Sequence, residues 1–227
     1  MTNLTGTPAL VSSDGGKTER PAIGHIGTRI VIGLILLFAM AAFGVYVKYR
    51  PGPTWPDRIA YDIFPSEWMH HSLTYITDLG RPRVVIPGLA VCFVLALFWD
   101  RRRAITCVLG PAAAVGLTEY IAKPAVHRML GGSLSYPSGH MTAVATLTTM
   151  FVLSVKPRYR KLALVLAIIV DCAMAAVLML LRWHYLTDIA AGLAVSVGTI
   201  LIIDALLHID LTHADRHEPE LKTVQQT

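Results

Sequence analysis

The sequence predicts an all-α polytopic membrane protein, a bundle of six transmembrane helices. Hydrophobic residues make up 54% of the 227 residues, charged residues only 15%, and the mean hydropathy is +0.53. A soluble domain carries about 25% charged residues, so much of this surface faces something other than water. A span needs about 20 apolar residues, and six apolar runs come close to that length. A disordered chain, a disulfide scaffold and an ordinary soluble enzyme are excluded.

Each apolar run is predicted to form one span. Acidic residues interrupt three of the runs, and an acid inside a membrane normally has a partner or a function. Asp171 is expected to hydrogen-bond a Ser or Thr of a neighbouring span. Glu119, one turn before Lys123, is expected either to pair with a cation or to lie at the interface. The runs cover residues 30–47, 84–99, 104–122, 138–155, 162–181 and 185–207.

The charges of the loops predict which side of the membrane each loop occupies. The segments 100–103 and 156–161 are short and strongly basic, which is typical of cytoplasmic loops. Residues 1–25 are then a flexible cytoplasmic tail, residues 26–210 the six-span domain, and residues 211–227 a second cytoplasmic tail. The loops that follow the first, third and fifth runs lie outside.

The first outer loop, residues 48–83, is long and rich in aromatic residues. Met69, Leu73 and Ile76 recur within it at helical spacing. This pattern predicts a helix that lies at the membrane interface, and a plain linker is the alternative. The aromatic residues of the loop are Trp55, Tyr61, Trp68 and Tyr75.

Three basic residues lie on the predicted outer side, against the usual bias of membrane loops. Lys123, Arg128 and Arg182 each adjoin a segment that contains histidine. Such fixed cations attract an anion with several charges. Phosphate is a suitable ligand, because Lys and Arg hold its oxygens and phosphoryl transfer relies on charge stabilisation.

The start of the fourth run reads Pro137-Ser138-Gly139-His140. Ser is a good N-cap, and Gly allows the backbone to approach a ligand closely. The free N–H groups at the start of a helix form an anion site, favoured by the helix dipole. Taken alone, this segment is a weak signal, because a capping Ser at a helix start is structural most of the time. A serine nucleophile is another alternative, although the flanking residues lack the nucleophile-elbow pattern.

His184 and Asp188 are four residues apart, which would place them on one face of a helix. A carboxylate one turn away can hold the imidazole N–H and leave the other ring nitrogen free as a nucleophile or base. His140 is a second imidazole, able to act as an acid. These three residues could instead bind a metal, but the neighbouring cations would repel a divalent ion.

Together these segments resemble the motifs of the type 2 phosphatidic acid phosphatase family, which also includes the vanadium haloperoxidases. The segment 137–140 matches the whole of the second motif of that family. His184 and Asp188 match the His-x3-Asp of the third motif. Lys123 and Arg128 match the Lys and the first Arg of a longer form of the first motif. The similarity by motif covers residues 119–192.

Two arginines of the family pattern are absent from their usual positions, which hold Leu130 and Leu178. Arg182 lies one turn after position 178. A helix brings residues four apart onto one face, so Arg182 is expected to substitute for the missing arginine of the third motif.

The resemblance implies a role for each matched residue. His184 attacks phosphorus and becomes a phosphohistidine, Asp188 orients it, and His140 protonates the leaving oxygen and later helps to activate water. No metal or other cofactor is implied. The residues expected to hold the phosphoryl oxygens are Lys123, Arg128, Ser138, Gly139 and Arg182.

The function expected from this resemblance is a lipid phosphatase of a membrane, here predicted to be a prokaryotic plasma membrane, with its site on the outer face. A polyprenyl (di)phosphate is the favoured substrate, and phosphatidate or phosphatidylglycerophosphate is the alternative. A lipid phosphotransferase would use the same residues. An anion-binding transporter would need more polar residues in its spans. The bilayer and the lipid phosphate are the expected partners, without nucleic acid, and the sequence predicts no oligomeric state.

Overall fold

Helices form over all six predicted apolar runs. The computed structural model describes the backbone of residues 23–50, 52–64 and 73–224, and the side chains of residues 26–50, 52–64 and 73–209. The elements in chain order are α1 (Ile23–Tyr49), α2 (Trp55–Ile63), α3 (Thr74–Thr77), α4 (Pro82–Leu97), α5 (Arg101–Gly116), α6 (Lys123–Val126), β1 (Met129–Leu130), β2 (Ser133–Leu134), α7 (Gly139–Ser154), α8 (Arg160–Leu180) and α9 (Leu186–Val224).

Four helical stretches of the described residues are long and apolar enough to cross a membrane. A fifth is obtained if Thr74–Gly80 and Pro82–Leu97, which meet at a bend of 47°, are one span. Helix α7 has only 16 residues. The all-α polytopic fold is confirmed, whereas the number of six spans stays a prediction. The four stretches are Ile26–Tyr49, Arg101–Val126, Pro157–Leu180 and Leu186–Ile209.

Helix α9 is the central helix of the bundle. It packs against α1, α5 and α7, and α7 in turn contacts α4 and α8. Val195, Ile200 and Ala205 on α9 are fully buried. Large apolar side chains point outward on the peripheral helices, as Phe38 of α1 does with an exposed fraction of 76%. An apolar exterior of this kind is suited to contact with lipid.

Two glycines bring α1 and α9 close together. A Cβ atom added to Gly33 would lie 2.7 Å from the carbonyl oxygen of Gly198, and one added to Gly198 would lie 3.0 Å from the carbonyl oxygen of Gly33. Small residues at such crossings let two membrane helices approach backbone to backbone.

A β-hairpin of β1 and β2 interrupts the helical fold between α6 and α7. Met129 pairs with Leu134, and Leu130 pairs with Ser133. The two turn residues, Gly131 and Gly132, have φ angles of 57° and 83°. Glycine adopts such positive φ angles without a steric penalty, and tight two-residue hairpin turns require them.

The loop of residues 48–83, which is predicted to lie outside, contains α2, and Thr54 is the N-cap residue of this helix. The Thr54 N–H donates to Asp57 Oδ2 at 2.9 Å, and the Thr54 hydroxyl donates to the same oxygen at 2.8 Å. Trp55 and Ile63 are exposed. Residues 65–72, with Trp68 and Met69, lie outside the described part of the chain. The interfacial position of a helix in this loop therefore stays a prediction.

Asp171 of α8 accepts the predicted hydrogen bond from a neighbouring span. The Thr148 hydroxyl of α7 lies 3.1 Å from Asp171 Oδ1 and 3.2 Å from Oδ2.

The helical backbone of α9 continues past the sixth apolar run to Val224. A change from apolar to polar residues ends a membrane span, but the helix itself can continue through the polar residues. The first 22 residues of the predicted N-terminal tail lie outside the described residues.

Candidate active site

The start of α7 is fixed by Ser138, the residue predicted to cap it. The Met141 N–H donates to Ser138 Oγ at 3.3 Å. The Ser138 N–H donates to the carbonyl oxygen of Asp188 at 2.9 Å, which ties the start of α7 to the first turn of α9. Ser138 is fully buried. The first N–H groups of α7, from Gly139 onward, are thereby held in place as candidate anion donors.

The turn between α8 and α9 presents His184 just before α9 begins. The Trp183 N–H donates to the carbonyl oxygen of Leu178 and the Arg182 N–H to that of Met179, both at 3.1 Å. These two bonds form a Schellman motif. Its left-handed position is taken by Arg182, with a φ angle of 56°. Such a φ angle is uncommon in a residue with a Cβ atom and often marks a functional region.

His184 is held by a backbone carbonyl group. Its Nδ1 lies 3.1 Å from the carbonyl oxygen of Ser135, but 3.9 Å from Asp188 Oδ2. The expected hydrogen bond to Asp188 is therefore replaced by one to Ser135, because His184 precedes α9 instead of lying on it. A carbonyl oxygen can only accept a hydrogen bond. In the neutral ring this contact places the proton on Nδ1 and leaves the lone pair on Nε2.

The two predicted catalytic histidines lie together. The ring centroids of His140 and His184 are 6.4 Å apart, and the Trp183 ring lies 5.6 Å from that of His140. Both histidines line a cavity of about 290 Å³. The other lining residues come from the hairpin and the α8–α9 turn: Leu130, Gly131, Ser133, Arg182 and Trp183.

Arg128 is turned away from this cavity and is fully buried. Its Nη1 donates to Asp188 Oδ1 at 2.6 Å and to Thr187 Oγ1 at 2.8 Å. Its Nη2 donates to Asp57 Oδ2 at 3.0 Å and to the carbonyl oxygen of Gly52 at 2.9 Å. This geometry differs from the predicted phosphate contact, because two buried carboxylates already neutralise the guanidinium.

Asp57 joins α2 to the start of α9. Its Oδ1 accepts the Thr187 N–H at 2.9 Å, and its Oδ2 accepts donors from Thr54 and Arg128. Burial raises the pKa of Asp57, but the hydrogen bonds from Thr187, Thr54 and Arg128 outweigh burial and hold this pKa below its usual value. Asp57 is therefore a carboxylate that anchors the loop on the site.

Lys123 stands beside the start of α7, paired with Glu119. Its Nζ lies 2.7 Å from Glu119 Oε1 and 2.9 Å from Oε2. A Cβ atom added to Gly139 would collide with Glu119 Oε1 and lie 3.1 Å from Lys123 Nζ. Of the two outcomes expected for Glu119, pairing with a cation is the one observed.

Arg182 faces the cavity edge, but it also binds α2. Its Nη2 donates to the carbonyl oxygens of Tyr61 and Phe64, each at 3.2 Å. Its guanidinium carbon lies 3.8 Å from the centroid of the Tyr61 ring. Leu178, at the position of the family arginine, is 0% exposed and belongs to the core. Of these two positions, only Arg182 lines the cavity.

Sequence reasoning missed several residues of the site. Ser135 contributes only its carbonyl oxygen, which no side-chain motif reveals. Leu130 occupies the position of an arginine in the family pattern, and its place in the cavity wall depends on the hairpin. The Gly131-Gly132 pair was the available signal, because two glycines between short apolar segments are typical of a tight hairpin. Among the described residues, no group of three or more His, Cys, Asp or Glu side chains is arranged to hold a metal.

No family model matches the chain, and no curated protein matches it. A solved structure does: a PAP2-type transmembrane phosphatidylglycerolphosphate phosphatase from Bacillus subtilis is similar to this chain with a TM-score of 0.53. The sequence identity is 18%, and the similarity covers 80% of this chain and 94% of that chain. At this identity the likeness concerns the fold and leaves the activity open. The chain has the fold of a PAP2-type membrane phosphatase.

Proposed function

We propose that this protein is an integral membrane lipid phosphatase that removes phosphate from a polyprenyl (di)phosphate at the outer face of the membrane. The observation that carries the proposal is the pair of imidazoles on one cavity, with ring centroids 6.4 Å apart. The bond from His184 Nδ1 to Ser135 leaves His184 Nε2 as the nucleophile. A site at the ends of apolar helices suits a substrate whose tail stays in the bilayer.

In the first step, His184 Nε2 attacks phosphorus. A P–N bond forms while the P–O bond to the lipid breaks, and His140 gives its proton to the leaving oxygen. The product is a lipid alcohol from a monophosphate, or a lipid monophosphate from a diphosphate. The carboxylate of Asp188, with Oδ2 3.9 Å from His184 Nδ1, stabilises the positive charge that develops on the ring.

In the second step, water attacks the phosphohistidine. His140 takes a proton from the water, the new P–O bond forms, and the P–N bond breaks to release inorganic phosphate. The enzyme returns to its starting state with a proton on His140. His140 therefore acts as the general acid in the first step and as the general base in the second.

The phosphoryl oxygens are held by Lys123, Arg182 and the N–H groups at the start of α7. Ser138 supports this cradle through its cap, and Gly139 admits the ligand to the backbone. Arg128 acts indirectly, because its guanidinium fixes Asp188. No metal is proposed, since the cations beside the two histidines oppose a divalent ion.

A second candidate is hydrolysis of phosphatidylglycerophosphate. The name of the Bacillus subtilis phosphatase favours this substrate, and the two chains share a fold over 94% of its length. The chemistry at His184 and His140 would be unchanged. A phosphotransferase would differ only in using an acceptor alcohol in place of water in the second step.

The test is phosphate release by the purified protein from a panel of polyprenyl phosphates, polyprenyl diphosphates, phosphatidylglycerophosphate and phosphatidate, with excess chelator present. We expect turnover that vanadate inhibits and that His184→Ala abolishes. His127→Asn is the matched control, because the His127 side chain is exposed. The His127 backbone has a left-handed conformation, which Asn tolerates. Absence of phosphate release from every lipid would refute the proposal. Turnover only with added divalent metal would refute the metal-independent mechanism.

A further inference from the structure

A carboxylate lies where the predicted phosphate cradle opens. Both Glu119 oxygens accept hydrogen bonds from Lys123 Nζ, and Oε1 lies directly against the Cα side of Gly139, the first residue of α7. The positive end of a helix dipole and a Lys ammonium both attract anions. In this structure Glu119 supplies the anion at that place.

The backbone around Glu119 explains how the carboxylate reaches this position. Glu119 belongs to a π-helical stretch, Leu117–Ala122, that joins α5 to α6. Such stretches are rare and frequently occur at functional sites. The Glu119 side chain is 39% exposed, whereas that of Lys123 is 16% exposed. The Glu119 carboxylate is therefore the partner of this ion pair that is more open to solvent.

We propose that Glu119 is an internal competitor of the substrate phosphate and so sets the affinity of the site for phosphate. This inference rests on the proposed function. A carboxylate and a phosphoryl group present similar acceptor oxygens to an ammonium group. The Glu119 carboxylate and the substrate phosphoryl group therefore bind the Lys123 ammonium group one after the other. When the phosphoryl group enters, Glu119 leaves Lys123. When inorganic phosphate departs, Glu119 returns and restores the charge balance at the start of α7.

The competing explanation is that Glu119 merely positions Lys123. The two roles predict opposite signs for the same substitution. Removal of a competitor strengthens phosphate binding, whereas removal of a support weakens it. A partly exposed ion pair contributes little free energy, so we expect Glu119→Gln to bind phosphate about two- to fivefold more tightly.

The experiment measures inorganic phosphate binding to the full-length protein in detergent by calorimetry, and the Ki of phosphate against lipid phosphate hydrolysis. Glu119→Gln and, as a second variant, Glu119→Ala are both expected to show the tighter binding. Asp62→Asn is the matched control, because it removes one negative charge from an exposed position of α2. We expect its phosphate affinity to equal that of the wild type.

The double variant Glu119→Gln/Lys123→Met should bind phosphate as Lys123→Met alone does, because the competition acts through Lys123. Unchanged or weaker phosphate binding in Glu119→Gln would overturn the inference. An equal gain in phosphate affinity in Asp62→Asn would overturn it as well. If the wild type hydrolyses no lipid phosphate, the proposed function fails, while calorimetry still decides the role of Glu119.

Discussion

Arg182 combines two demands at a single residue. Its backbone occupies the left-handed position of a Schellman motif, with a φ angle of 56°, while its guanidinium binds two carbonyl groups of α2 and borders the cavity. Glycine satisfies the first demand better than arginine, but it has no side chain for the second. The choice of arginine at this position therefore indicates that the side chain matters more than the backbone preference.

This conflict predicts the behaviour of two variants. Arg182→Ala and Arg182→Gly both lose the guanidinium, so both should lose activity to a similar degree, about tenfold or more for charge-assisted contacts. Arg182→Gly should be more stable than Arg182→Ala by about 1 kcal/mol, because only the alanine retains the left-handed strain. Melting temperatures in detergent and phosphate release measure the two effects. Equal stability of the two variants would contradict the account of the strain. Arg58→Ala, on the exposed face of α2, is the control.

At the scale of elements, α2 is attached to the site through Asp57. The carboxylate receives hydrogen bonds from Thr54 just before α2, from Arg128 next to the hairpin and from Thr187 of α9. The loop that contains α2 is thereby held against the first turn of α9. The helical spacing of Met69, Leu73 and Ile76 lies outside α2, and the partner of Asp57 lies 71 residues away, where no local pattern identifies it.

Asp57→Asn should lower the free energy of unfolding by about 1–3 kcal/mol, because hydrogen bonds to a charged acceptor are weakened while Arg128 keeps Asp188 as its partner. The folded-state pKa of Asp57 is lowered. Its stabilisation is therefore fully present above the ordinary aspartate pKa of about 4 and is lost as the pH falls through the lower folded value. The difference in melting temperature between the wild type and Asp57→Asn should shrink in that acidic range. A difference that stays constant with pH would contradict this assignment. Asp62→Asn, which removes an exposed carboxylate from the same helix, is the matched control variant.

The crossing of α1 and α9 gives a second prediction for elements. Gly33→Ala would place its Cβ atom 2.6 Å from Ile202 Cγ1 and 2.7 Å from the Gly198 carbonyl oxygen. The helices must then separate, so we expect a loss of about 1–3 kcal/mol in the free energy of unfolding in mixed micelles. Gly27→Ala is the matched control on the same helix, because an added Cβ atom there meets nothing within 4 Å. Gly27→Ala should leave the free energy of unfolding unchanged or raise it slightly. An equal loss of this free energy in both variants would exclude close packing of the helices as the cause.

For the whole molecule, the orientation in the membrane follows from loop charge alone and stays a prediction. Ser133 is exposed in the hairpin, and Ser133→Cys should react with an impermeant thiol reagent in intact cells. Arg158→Cys, exposed in the predicted cytoplasmic loop, should react only after the cells are opened. Both belong in a Cys172→Ser background, since Cys172 is exposed while Cys92 and Cys107 are buried. If the reagent in intact cells modifies the Cys at position 158 but not the Cys at position 133, the orientation of the protein is opposite to the predicted one.

The parts of the fold that the sequence predicted are those governed by local patterns. Apolar runs located the helices, and Ser138 marked the start of α7. The sequence did not indicate that Arg128 turns inward, because the direction of a side chain depends on partners such as Asp57. Nor did it show that Ser135 would hold His184, since every residue carries a carbonyl group. Chemistry could be anticipated from residue types, whereas orientation required the tertiary structure.

The charge cluster around Arg128 also constrains how the chain can diverge over evolutionary time. Arg128 lies between Asp57 and Asp188, and all three side chains are fully buried. Replacement of Arg128 alone would leave two buried carboxylates without a cation, which is strongly unfavourable. Lineages that have lost Arg128 should therefore have lost the Asp57 carboxylate as well, and the two alignment columns should vary as a correlated pair.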